Sequence, residues 1–152
     1  MTTTTAKIAP LLCTALLSLS ALAAQAQPDV LANAAKEPGA VVTPSGLVYQ
    51  SLKDGSGGSP RPSDVVKVHY SGKLTDGREF DSSYKRGQPI EFPLNRVIPC
   101  WTEGVQRMKV GGRAKLTCPP DIAYGPSGAG GGLIPPNATL VFEIELLGLT
   151  AR

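Results

Sequence analysis

From Val66 to Leu74 apolar and polar positions alternate without a break. Val66, Val68, Tyr70, Gly72 and Leu74 fall on one side, Lys67, His69, Ser71 and Lys73 on the other. A period of two predicts a strand with one buried face. Asp76-Gly77 closes a tight hairpin, and Phe80 begins the return strand. After a loop through Gly87 and Pro89, Ile90 and Phe92 predict another short strand. Upstream, Leu47 to Leu52 predicts a first strand, ended by Asp54-Gly55-Ser56-Gly57-Gly58, and Pro60 and Pro62 hold the connection extended. Downstream, Ala114, Leu116 and Cys118 alternate again, as do Leu140, Phe142, Ile144 and Leu146.

One segment has a different period. Trp101, Val105 and Met108 fall at i, i+4 and i+7, which places them on one face of a short helix, with Glu103, Arg107 and Lys109 toward solvent. Pro99 suits the entrance of that helix and Gly111 its end. The elements together predict an α+β domain: a twisted antiparallel sheet of five to six strands wrapped around one short helix.

The first 26 residues read differently. Lys7 gives a weakly basic start, Leu11 to Leu22 is apolar and uncharged, and Ala24-Gln25-Ala26 has the small-x-small form of a signal-peptidase site. The apolar stretch is shorter than the roughly 20 residues that span a bilayer. These features predict a signal peptide over 1–26, cleavage near Ala26, and an exported protein without a membrane anchor, periplasmic in a bacterium. Leu12 stands before Cys13 where a lipid-attachment cysteine needs a small residue. Residues 27–43, rich in Ala, Pro and Gly, read as a flexible lead, and 44–152 as the folded domain.

Composition changes this picture little. The 152 residues include 17 glycines and 14 prolines, below the roughly 25–30% that marks low-complexity chains, so a turn-rich folded domain is indicated. The net charge is only +3 and no long Lys/Arg run occurs, which argues against nucleic acid as the main partner. Loss of the leader removes Cys13 and leaves Cys100 and Cys118. An oxidising compartment permits these two to pair; the other reading is two buried thiols packed as small apolar groups.

The chemistry that is missing narrows the function. His69 is the only histidine and sits on the polar side of its strand, so neither a catalytic imidazole nor a zinc site is indicated. Ser82 and Ser83 lie beside Asp81 but have no base in sequence, which argues against a serine hydrolase. The glycines from Gly128 to Gly132 lack the lysine and the strand-to-helix setting of a phosphate loop, and no cofactor or metal is expected. What remains is aromatic: Tyr70, Phe80, Phe92, Trp101, Tyr124 and Phe142. These can simply fill a core, but a buried tyrosine needs a hydrogen-bond partner, which suits Tyr70 and Tyr124 to a pocket rim.

Five motifs, in order over residues 46 to 149, resemble those of FKBP-type peptidyl-prolyl isomerases. They are Val68-His69-Tyr70-Ser71-Gly72, Gly77-Arg78-Glu79-Phe80-Asp81-Ser82-Ser83, Val97-Ile98-Pro99-Cys100-Trp101, Tyr124-Gly125 and Ile134-Pro135-Pro136-Asn137-Ala138-Thr139-Leu140. The resemblance implies a proline pocket with Trp101 as floor and Tyr70, Phe80, Phe92, Val97, Ile98 and Phe142 as walls. Ile98 would also offer its backbone N–H to the substrate, and Tyr124 its hydroxyl from the rim. Asp81 matches the pocket carboxylate, held by Tyr70 and Arg86, and Ile134 matches the loop residue that closes over the ligand. Ile90 stands where an aromatic wall residue is common, and Cys100 where glycine is. Tyr70, Asp81, Trp101, Tyr124 and Phe142 are the residues on which the resemblance places catalysis.

The implied reaction is rotation about X-Pro bonds in exported proteins, with proline-containing peptides and unfolded chains as partners and tacrolimus- or rapamycin-type macrolides as inhibitors. It needs no acid-base pair, which agrees with the chemistry that is missing. The short lead leaves no room for a client-binding domain, so a monomer is expected. The alternative is a proline-recognising binding module, or a chaperone, in which turnover is incidental.

Overall fold

The computed structural model describes residues 29–152, so the expected signal peptide lies outside the described residues. Seven strands form one antiparallel sheet: β1 (Ala40–Val42), β2 (Val48–Lys53), β3 (Val65–Leu74), β4 (Glu79–Ser82), β5 (Ile90–Pro93), β6 (Arg113–Cys118) and β7 (Leu140–Thr150). Their order is β1-β2-β6-β7-β3-β4, with β5 also on β3. The longest pairing runs the length of β3, from Val65 opposite Thr150 to Leu74 opposite Leu140. Among the described residues three α-helices accompany the sheet: α1 (Val30–Ala35), α2 (Ser83–Arg86) and α3 (Pro99–Gln106).

Two expectations need correction. The sheet has seven strands rather than five or six, and residues 29–42 are not a flexible lead. Asp29 caps α1 by accepting the Ala32 N–H at 3.1 Å, and Ala34 is buried. Lys115 Nζ donates to Glu37 at 2.9 Å, and β1 pairs with β2 from Ala40 opposite Gln50 to Val42 opposite Val48. A six-residue helix is not stable from its own propensity. Its order comes from contacts with β2 and β6 that local sequence does not display. β4 and β5, both expected, share one edge of β3: β5 pairs with residues 65–68 and β4 with residues 71–73, so β1 is the added strand.

The alternating residues all face one core. Val66, Val68, Leu116, Leu140, Ile144 and Leu146 are fully buried, and α3 adds Cys100, Trp101 and Val105. The helix lies hard against β6, because a Cβ at Gly104 would come within 2.9 Å of Leu116 Cγ. It stops at Gln106 rather than running to Gly111, whose φ of +91° belongs to the turn into β6. Met108 therefore reaches the core from the turn after the helix, where it is buried.

Cys100 and Cys118 are joined in a disulfide with Cα atoms 5.9 Å apart, and both residues are fully buried. The bond ties the first turn of α3 to the end of β6, just where the chain leaves the sheet for the loop that carries Tyr124.

Candidate functional site

Between α3 and the β3–β7 side of the sheet lies a cavity of about 530 Å³. Tyr70, Phe80, Asp81, Phe92, Val97, Ile98, Trp101, Tyr124 and Phe142 all line it, so nine of the twelve expected site residues converge from six segments of chain. Phe142, Trp101 and Tyr70 form its deep side and are almost wholly buried, while Tyr124 stands at the rim, 40% exposed.

The deep side is a set of rings packed edge to face. Trp101 meets Tyr70 at 5.0 Å, Phe142 at 5.4 Å and Phe92 at 5.7 Å between centroids, each at nearly 90°. Phe80 meets Phe142 the same way at 5.6 Å. Edge-to-face packing is the favoured aromatic geometry and fixes each ring against the next. Gly72 makes room for it: a Cβ there would lie 2.6 Å from Phe80 Cζ and 2.9 Å from Phe142 Cε1.

The polar groups are few and mostly occupied. Tyr70 Oη donates to Asp81 Oδ2, and Arg86 Nη1 pairs with Asp81 Oδ1. Arg86 also lies over the Tyr70 ring, 5.8 Å from its centroid. Burial raises the Asp81 carboxyl, but the hydrogen bonds from Tyr70 and Arg86 outweigh it and hold the group below the usual carboxylate range. Burial and the bond to Asp81 push the Tyr70 phenol up. Burial, aided by the charge of Asp81, raises Tyr124 as well, so both phenols stay protonated at neutral pH. Tyr124 Oη, the Ile98 N–H and the buried Trp101 indole N–H have no protein partner among the described residues.

Three expected residues sit outside the cavity wall. Arg86 touches it only through Asp81 and Tyr70. Ile90 packs half-buried against the core on β5, opposite Val68. Ile134, 6% exposed, packs in the core cluster with its backbone bridged to Ala129 and is not part of the cavity lining. Its neighbour Leu133 is the exposed apolar residue of that loop, at 52%. Sequence reading missed Arg96, which lines the mouth; its position at the end of a short 3-10 turn (Leu94–Arg96) carries no periodic signal.

His69 is not free on the surface either. Its Nδ1 lies 2.8 Å from Ser83 Oγ, and its ring stacks on Tyr84 at 4.6 Å. This serine and histidine do not form a nucleophilic pair, because Ser83 is fully buried and its hydroxyl also bonds the backbone N–H and C=O of Tyr70.

A family model described as FKBP-type peptidyl-prolyl cis-trans isomerase matches residues 57–147. The isomerase FkpA of Aeromonas hydrophila is 55% identical over 121 residues, which is 80% of this chain and 44% of that protein. The FKBP-type 22 kDa isomerase of Escherichia coli K12 is 50% identical over 84% of this chain and 61% of its own length. Among solved structures, FkpA from Escherichia coli superposes with a TM-score of 0.79 at 49% identity, over 82% of this chain and 58% of that one. An isomerase from Pseudomonas syringae gives 0.75 at 39% identity, over 82% and 91%. This chain spans less than half the full sequence length of the FkpA proteins of Aeromonas hydrophila and Escherichia coli. With the matched family model covering more than half of the residues and relatives above 50% identity, this chain belongs to the FKBP-type peptidyl-prolyl cis-trans isomerase family.

Proposed function

We propose that this chain accelerates the cis-trans isomerisation of X-Pro bonds in exported proteins, as a periplasmic monomer. The observation that carries this reading is the character of the cavity: aromatic walls, a single carboxylate already held by two partners, and lining residues whose donors take no protein partner among the described residues. An X-Pro amide rotates over a barrier of roughly 18–20 kcal/mol, set by the loss of amide resonance. No covalent bond breaks, so no nucleophile or base is required. The planar amide carries separated charge and the twisted one much less. An apolar site therefore destabilises the planar form relative to the twisted one, and each 1.4 kcal/mol of that difference gives about tenfold in rate.

In this reading the proline ring rests on Trp101 between Tyr70, Phe92 and Phe142. The Ile98 N–H and Tyr124 hydroxyl take carbonyls of the substrate chain. Tyr70 and Arg86 keep Asp81 ionised and fixed. The test is peptide isomerisation followed by proton exchange spectroscopy, with and without a tacrolimus-type macrolide, on chain recovered from the periplasmic fraction. Acceleration over the uncatalysed rate that disappears as the macrolide saturates the cavity is expected. A rate equal to background would overturn the reading, and macrolide binding without turnover would make the domain a binding module.

The pH dependence follows from the polar groups. Because the folded pKa of Asp81 lies below its unfolded value of about 3.9, its ionised form stabilises the fold above that pH. That contribution is lost as the pH falls through the folded value. With the tyrosines raised at the other end, the isomerisation rate is expected to stay flat between about pH 5 and 9 and to drop only under stronger acid. A bell centred near neutrality would place an acid-base group in the mechanism and contradict it.

A further inference from the structure

A second cavity, of about 350 Å³, shares no lining residue with the first. Its wall contains Lys53, Arg107, Lys109 and Arg113 against one carboxylate, Asp54. That is a local formal charge of +3, equal to the net charge of the whole chain, so the rest of the sequence is neutral in sum. Lys53, Arg107 and Lys109 have no carboxylate within 4.0 Å among the described residues. Arg113 is paired with Glu143 at 2.7 Å, and Asp54 accepts a hydrogen bond from Ser51. Like charges gathered around one hollow repel each other, and an anion in the middle reverses the sign of that energy.

The hollow is held open by backbone, not by flexible side chains. Gly57 N–H donates to Val110 C=O and Val110 N–H to Gly58 C=O, both at 3.0 Å. Gly112 N–H donates to Lys109 C=O at 2.9 Å, and Gly111 N–H to Leu146 C=O at 2.8 Å. The two turns touch so closely that a Cβ on Gly55 would lie 2.6 Å from both Gly112 N and Val110 O. Buried Met108 lies among the lining, and Tyr49 donates weakly to the Arg107 carbonyl at 3.4 Å. Lys53 and Arg113 stand directly opposite on β2 and β6, so two of the cations are set by strand register.

We infer that this cavity is a binding site for a phosphate-type oxyanion, either soluble or the headgroup of an anionic lipid. Several unneutralised cations around one rigid hollow match a multiply charged oxyanion better than a single carboxylate. The arginines supply planar forked donors, and the lysines supply point charges.

The test titrates inorganic pyrophosphate into the intact protein and follows backbone amide shifts, with sodium chloride at equal ionic strength as control. Saturable shifts at Gly55, Lys109, Val110 and Gly112 are expected from pyrophosphate and not from chloride. The double variant Lys53→Ala/Lys109→Ala is expected to bind at least about tenfold more weakly, since hydrogen bonds to charged groups are lost. Lys67→Ala, on β3, leaves binding unchanged. Vesicles of phosphatidylglycerol, compared with phosphatidylcholine, separate the two sources: retention on the first alone, lost in the double variant, assigns a lipid headgroup. Shifts that chloride reproduces, or pyrophosphate binding that the double variant keeps, would overturn the site. Peptide isomerisation by the double variant stays at the wild-type rate, so this test and that of the proline cavity fail independently.

Discussion

Replacing Trp101 by alanine is expected to abolish catalysed isomerisation and to destabilise the fold by about 3–5 kcal/mol. Both effects come from one position. Trp101 is 4% exposed and is the ring on which Tyr70, Phe92 and Phe142 all abut. Removing it takes away the surface that would receive proline and leaves three aromatic edges facing a void. The loss of stability is read from urea unfolding and the loss of activity from peptide exchange rates. Trp101→Phe separates the two, because a smaller ring keeps most of the packing. It is expected to unfold near the wild-type urea concentration while isomerising more slowly. A folded Trp101→Ala protein with undiminished catalysis would remove Trp101 from the mechanism.

Substituting both cysteines, Cys100→Ala/Cys118→Ala, is expected to cost about 3 kcal/mol and lower the melting temperature by roughly 10 °C. The bond closes a loop spanning 18 positions, long enough for the unfolded chain to lose substantial freedom. Alanine is the right replacement, since a buried serine would add an unpaired hydroxyl. Catalysis is expected to weaken as well, chiefly through KM. The bond fixes the residue before Trp101 against the strand that leads to Tyr124, and its removal loosens the floor relative to the rim. Thiol labelling of the unreduced, denatured protein checks the bond itself. Two labelled cysteines would show that the thiols are free.

How much of this could be read from the chain depended on the period of each element. β3, β6 and β7 bury one face, so alternation displayed them; their inward residues form the core, and Tyr70 of β3 and Phe142 of β7 also reach the cavity wall. α3 was equally visible, although Met108 fits a helical face while lying past the helix end. Elements stabilised only by neighbours were invisible. α1 and β1 are apolar in sequence but short, only Ala34 among their residues is buried, and they are ordered by Glu37, Lys115 and the edge of β2. The aromatic and acidic residues of the site were legible through motif order. Arg96 was not, because a charged residue in a turn looks like any solvated one. The glycine-rich loop around Ile134 carries no periodic signal, so sequence could not show that Ile134 is buried while its neighbour Leu133 is exposed.

The complete burial of Cys100 and Cys118 also orders events during the birth of the molecule. Once α3 has settled on β6, no oxidant can reach either sulfur. The bond must therefore close while the helix is still undocked, or wait for the domain to open again. A chain released slowly into an oxidising space has time for this, whereas one that collapses first seals its thiols inside. The yield of oxidised protein thus becomes a clock that compares two rates, covalent closure and core burial, and changing either the oxidant or the folding temperature would reset it.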